Sequence, residues 1–152
     1  MTGIAARQQP DHETYRLEEQ IGYLLGRAQA VALGNLRQQV GELDLTPPQL
    51  GAVLRLMELG EASQNELGRQ SGMKPATVHG VVQRLQKRGL VDSRPSPHDQ
   101  RRRLLFLTDA GQDMALTLAD HSRTAANVTL SSLSVDEQST LTALLKKVIG
   151  GP

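Results

Sequence analysis

The side chains best suited to chemistry in this 152-residue chain are cationic, and they crowd into one stretch. Residues 74–103 carry Lys74, Arg84, Lys87, Arg88, Arg94, Arg101, Arg102 and Arg103 against Asp92 and Asp99. That stretch is +6 in a chain whose net charge is +1, so the remainder is acidic. A basic face on an acidic body suits a polyanionic partner. A charge run alone describes a solvated face equally well, so its weight depends on the elements that carry it. Other chemistry is poorly served. Cysteine is absent, which removes disulfides, thiolate metal ligation, thiol catalysis and thiol-based peroxide sensing. The aromatics are Tyr15, Tyr23 and Phe106, with no Trp, too few for a platform that stacks single-stranded bases. His12, His98 and His121 have no metal-ligand spacing with one another or with acids, so neither a metal nor a cofactor is expected. There is no phosphate loop, nucleophile elbow or acid–base cluster, and no enzyme activity is expected.

The elements that must position the cations follow from periodicity and caps. Residues 1–12 are polar, contain Pro10, and read as a loose arm. From Leu17 the apolar residues Ile21, Leu24, Leu25, Ala28, Ala32, Leu36, Val40 and Leu43 recur at steps dominated by three and four, which predicts a long helix ending near 40–43. Gly22, Gly26 and Gly34 interrupt it. They suit either close approach of another helix or a helix held by packing despite poor propensity. Thr46-Pro47-Pro48-Gln49 is a capping box with proline at the first helical position, and Gly60 closes that helix. Ser63 to Glu66 reads as a second capping box, opening a short helix to about Gln70. Ser71-Gly72 is a tight turn. Pro75 opens the next helix and Gly89 stops it. Leu90–Arg94 and Arg103–Leu107 read as two strands joined by the turn-rich tip Pro95 to Gln100. Thr108 caps a long helix to about Leu130. Ser134 to Glu137 is a further capping box, before a last helix that stops at Gly150-Gly151.

Short helix, tight turn and helix make a helix-turn-helix. The second helix has one apolar side, Val78, Val81, Val82 and Leu85. Its other side is small or polar: Ala76, Gly80, Gln83 and Lys87, flanked by His79 and Arg84. Small residues let a helix sit deep in a major groove about 12 Å wide. Thr77, His79, Gln83 and Arg84 are placed for base edges. Lys74 beside Pro75, Lys87, and the short helix's start at Ser63 and Asn65 suit phosphates. An ordinary solvated helix surface is the plain alternative. In the hairpin, Arg94 adds charge, and an arginine at the tip can enter a narrow minor groove. Strand alternation would put Arg101 and Arg103 on one face and Arg102 on the other. Asp99 would steer the arginine.

Residues 46–111 resemble the winged helix-turn-helix of the multiple-antibiotic-resistance regulator (MarR) family. The resemblance rests on Thr46-Pro47-Pro48-Gln49, Glu66-Leu67, Lys74 to Val78, Arg84 to Val91, Asp99-Gln100-Arg101-Arg102 and Leu107 to Gly111. The flanking helices extend it over nearly the whole chain. It implies a mainly α (α+β) fold: an arm and dimerisation helix over 1–45, a DNA-binding winged helix over 46–107, and dimerisation helices over 108–152. It also implies a homodimeric transcriptional regulator, more often a repressor, released from duplex DNA by a small, often aromatic and anionic, effector. Apolar terminal helices with no other domain to cover them agree with a dimer. A twofold pair would read a pseudo-palindromic operator with half-sites about 34 Å apart. In the family, the effector pocket lies between the dimer helices and the DNA-binding lobe. The matching candidates are Tyr23 and Arg27, with Gln49, Val53 and Met57 below. Arg27 would pair with a carboxylate; a surface ion pair is the duller role for it.

The rival to DNA binding is a winged helix that docks on protein, and salt dependence separates the two. No apolar run approaches the ~18 residues that cross a bilayer. With no secretory segment after Met1, a soluble cytoplasmic protein with no membrane partner is expected.

Overall fold

A computed structural model describes residues 15–41 and 43–150. The arm expected over 1–12, with His12, lies outside them. The elements run α1 (Ile21–Val40), α2 (Pro47–Leu59), β1 (Glu61–Ala62), α3 (Gln64–Gln70), α4 (Pro75–Lys87), β2 (Val91–Pro95), β3 (Arg103–Leu107), α5 (Asp109–Thr129) and α6 (Val135–Val148). The first helix is not continuous from Leu17. Leu17–Glu19 form one 3-10 turn, Gln20 is extended, and α1 begins after it.

The capping boxes expected at Thr46 and Ser134 close in both directions, whereas at Ser63 only the hydroxyl half forms. The Thr46 N–H donates to Gln49 Oε1 at 2.8 Å, and Ser63 Oγ accepts from the Glu66 N–H at 3.2 Å. Ser134 and Glu137 cap reciprocally, at 2.8 and 3.3 Å. Each satisfies amide groups that a helix start leaves without partners.

The three strands form an antiparallel sheet in the order β1-β3-β2. Val91 faces Leu107 and Pro95 faces Arg103 across the hairpin, while Glu61 and Ala62 pair with Phe106 and Leu105. The sequence reading did not anticipate β1. Two residues carry no period of their own, and they are extended because β3 offers them an edge.

The core lies under the sheet, between α2, α3, α4 and the start of α5. Leu56, Leu67, Leu85 and Leu118 are fully enclosed, each contributing about 1.5–3 kcal/mol by burial. Val78, Val81, Val82 and Leu85 are the buried side of α4, so the opposite side is left to solvent. The long helices α1 and α5 pack along each other, joined by Asn35 Nδ2 donating to Thr129 Oγ1 at 2.9 Å. By contrast, α6 has no buried residue, and Leu141, Leu144, Leu145, Val148 and Ile149 are all exposed. A 14-residue helix is marginal in water without a packed face.

Candidate nucleic-acid interface

The reading helix is set by a tight turn. Gly72 has φ +64, a backbone conformation that disfavours a side chain. The Met73 N–H closes the turn on Gly68 O at 2.8 Å. Pro75 then fixes the first turn of α4. Lys74, Pro75, Ala76, Thr77, His79, Gln83, Arg84 and Lys87 are exposed, and Gly80 is half-buried. Together they form one outward ridge with no carboxylate on it.

Beside the ridge, the start of α3 and the wing share a cleft lined by Ser63, Asn65, Glu66, Arg69 and Arg102. Arg69 was missed by the sequence reading because it lies outside the basic run. Its position three residues after Glu66 on α3 carries no signal until the wing is folded beside it.

Two expectations for the wing are corrected. Strand alternation does not govern Arg101 and Arg102, because β3 begins only at Arg103. The tip is a turn instead: the Arg102 N–H donates to Asp99 O at 2.9 Å, and the Ser96 N–H donates to Arg102 O at 2.8 Å. Asp99 does steer the tip, but through the main chain. Its Oδ1 accepts from the Arg101 N–H at 3.0 Å. The guanidinium of Arg101 is left exposed at the apex.

Arg94 and Arg103 are engaged within the protein. Arg94 pairs with Glu61 at 2.5 Å and lies 5.4 Å from the centre of the Phe106 ring. Arg103 Nη2 donates to Ser93 O at 2.7 Å and to Ser93 Oγ at 2.8 Å. Both brace the hairpin while remaining exposed on its surface. Exposed guanidinium contacts of this kind contribute little stability individually. Their effect is to fix where the tip points.

The wing is anchored at its base. The Thr108 hydroxyl donates to Gly89 O at 2.6 Å and accepts from the Gly111 N–H at 3.1 Å. The end of α4, the root of the wing and the start of α5 therefore meet at one threonine.

The residues expected to line an effector pocket do not share one cleft within the protomer. Val53 is fully buried in the core and lines neither of the clefts that α1 forms with α5 and α6. Gln49 is buried too, with Oε1 held by the α2 cap. Both are withdrawn as lining residues. Met57 packs half-buried against the core. Tyr23 and Arg27 line a different cleft of about 520 Å³, together with Leu24, Val31, Leu133 and Leu141 from α1, the α5–α6 corner and α6. There Arg27 Nη1 donates to the Tyr23 hydroxyl at 3.2 Å. Among the described residues no carboxylate pairs with Arg27. A second, more apolar cleft of about 500 Å³ runs between α1, α5 and α6, with Leu25, Leu36, Ala125 and Leu145 on its walls.

A helix-turn-helix followed by a braced two-stranded wing, with one carboxylate-free ridge, defines a winged-helix regulator of the DNA-binding class. Comparison with known proteins gives the particular family. Residues 43–102 match the MarR family model. The chain is 31% identical over 139 residues to the HTH-type transcriptional repressor NicR of Pseudomonas putida, spanning 91% of this chain and 88% of that one. The chain belongs to the MarR family. Among solved structures it is similar to a probable transcriptional regulator from Pseudomonas aeruginosa, with 40% identity, a TM-score of 0.80 and coverage of 88% of this chain and 99% of that one. It is also similar to Bordetella bronchiseptica BpsR, whose DNA binding is regulated by 6-hydroxynicotinic acid. That match has 27% identity, a TM-score of 0.83 and coverage of 91% and 99%. No helix among the described residues is long and apolar enough to cross a membrane.

Proposed function

We propose that this chain is a homodimeric repressor that grips a pseudo-palindromic duplex operator and lets go when a small aromatic acid binds. The carrying observation is the outward ridge of α4 beside a cationic wing tip, both on one rigid head. Thr77, His79, Gln83 and Arg84 read base edges in the major groove, with Ala76 and Gly80 allowing close approach. Lys74, Lys87, Arg69, Ser63 and Asn65 hold phosphates. Arg101 enters the minor groove, and Arg102 sits between wing and α3. Arg94, Asp99 and Arg103 keep the tip in register.

Residues 46–107 form the reading head, and α1, α5 and α6 form the dimerisation body. The uncovered face of α6, with Val135, Leu144, Val148 and Ile149 each at least half exposed, supports a second copy as its cover. In such a pair the two α4 ridges stand about one DNA turn apart. The effector class follows from Arg27 beside Tyr23. A guanidinium takes a carboxylate by two parallel bonds, and the apolar wall of that cleft suits a ring. BpsR, a similar protein whose DNA binding is regulated by 6-hydroxynicotinic acid, supports the same chemistry.

The test is selection of duplex fragments by the purified protein, followed by titration of the best fragment by fluorescence anisotropy. Two protomers per duplex and a steep loss of affinity with salt are expected. Release by 6-hydroxynicotinic acid or a related aromatic acid, lost in Arg27→Ala, supports the effector assignment. Absence of any selected duplex refutes the reading.

A further inference from the structure

Arg88 stands in the basic run at the end of α4, yet its guanidinium faces the protein. Nη1 donates to Asp44 O, and Nη2 donates to Leu43 O at 3.1 Å. Those carbonyls belong to the connection between α1 and α2. Asp44 has φ +46, in the left-handed region that side chains avoid. Such a residue holds its conformation where its surroundings over-determine it. Here the surroundings include the Arg88 fork and the flanking Leu43 and Leu45, which pack on the core.

On one side of this clasp, α1 leads back to Tyr23 and Arg27. On the other, α4 ends with the Arg88 N–H on Arg84 O at 3.1 Å and the Leu90 N–H on Leu85 O at 3.0 Å. A cleft of about 320 Å³, lined by Arg37, Val40, Gly41, Asp44, Leu45 and Thr46, lies against the connection. The connection therefore has open space on one side, and on another the Arg88 fork acts beside the packing of Leu43 and Leu45 and the Leu43 N–H on Val40 O at 2.8 Å.

We infer that Arg88 is a positioning residue: its fork clasps the α1–α2 connection and so fixes the set of the reading helix relative to the dimerisation body. The inference rests on the DNA-binding reading above. It makes Arg88 different in kind from its neighbours Arg84 and Lys87, because its charge serves an intramolecular joint and no phosphate. A planar guanidinium reaches two carbonyls at once; an ammonium cannot hold both in the same fixed geometry. Lysine therefore keeps the charge and loses the clasp.

The test uses Arg88→Gln and Arg88→Lys in the full chain, with two readouts. The first is deuterium uptake of the DNA-free protein. Both variants should speed exchange about five- to tenfold in peptides spanning 43–46 and 86–90, with α5 unchanged. Unchanged exchange in those peptides overturns the clasp. The second is affinity for a duplex selected by the wild type against an unrelated duplex of equal length. Both variants should lose about tenfold of that discrimination while the salt slope stays put. A slope reduced by about 0.9, with both duplexes weakened alike, would make Arg88 a phosphate contact and overturn the inference. A lower unfolding midpoint with discrimination intact would reduce Arg88 to a structural role and overturn it equally. If the wild type selects no duplex, the DNA-binding reading fails, and the exchange experiment still decides the clasp.

Discussion

Gly111→Ala should be the most damaging single methyl in the reading head. A Cβ at Gly111 would lie 1.9 Å from Leu90 O, 3.0 Å from Leu90 C and 3.3 Å from Leu107 Cβ. Two of these are main-chain atoms, so no rotamer change relieves the clash. Leu90 O also accepts from the Thr108 N–H at 3.1 Å, and moving it breaks the joint at the wing root. Overpacking costs about 1–3 kcal/mol, and a clash with backbone belongs at the upper end. A lost buried hydrogen bond adds about 1 kcal/mol, and the better helix propensity of alanine returns about 1 kcal/mol. The net is a loss of about 3 kcal/mol, or roughly 6–12 °C in Tm for a domain of this size. The matched control is Gly51→Ala, an exposed α2 position where a Cβ meets nothing within 4 Å; it should gain up to about 1 kcal/mol. Urea and thermal unfolding of the two variants make the comparison. If Gly111→Ala unfolds with Gly51→Ala or above the wild type, the close approach of α5 to the wing root is wrong.

Four further outcomes are expected. Arg101→Ala should weaken operator binding by about 1–3 kcal/mol in anisotropy titrations and leave the dimer intact by light scattering. Thr108→Ala removes both the α5 cap and the bond to Gly89 O, and should cost about 1–2 kcal/mol in denaturant unfolding. Deleting residues from Ser134 onward should yield a monomer in sedimentation; a monodisperse dimer would take α6 out of the interface. Glu137 has its pKa lowered, chiefly by the Ser134 main-chain N–H and then by the Ser134 hydroxyl. A depressed carboxylate stabilises the fold fully above about pH 4.5 and loses that effect as pH falls through the lowered value. Helix α6 should therefore fray on acidification, read as faster exchange in its first turn, and Glu137→Gln should flatten that dependence.

Much of the architecture could be read from local chemistry. Thr46, Ser63, Thr108 and Ser134 each announce a helix start because a cap is a contact within three residues. The switch from the α4 stripe to the short β-like Leu90–Arg94 run after Gly89 announces the wing for the same reason. What escaped depends on partners distant in the chain. Glu61 becomes a strand residue and the counter-ion of Arg94 only once β3 lies beside it. Arg103 finds Ser93 only through the hairpin register. Asp99 acts on the Arg101 amide rather than its guanidinium, because the tip is a turn and not a strand. Gln49 and Val53 were read as pocket residues from the family resemblance. Their burial follows from how α2 packs beneath the rest of the head, which the helical period of α2 cannot reveal. Arg69 joined the site from outside the charge run, since proximity to Arg102 is a tertiary fact.

The most direct measurement is equilibrium binding of the purified chain to a duplex recovered from random sequences by its own selection, followed across salt with stoichiometry determined in the same titration. Two protomers per duplex, a strong preference over an unrelated duplex, and affinity falling linearly with log salt at a slope set by several phosphate contacts are expected. A single protomer that binds all duplexes equally, or none, would contradict the dimeric DNA-binding reading.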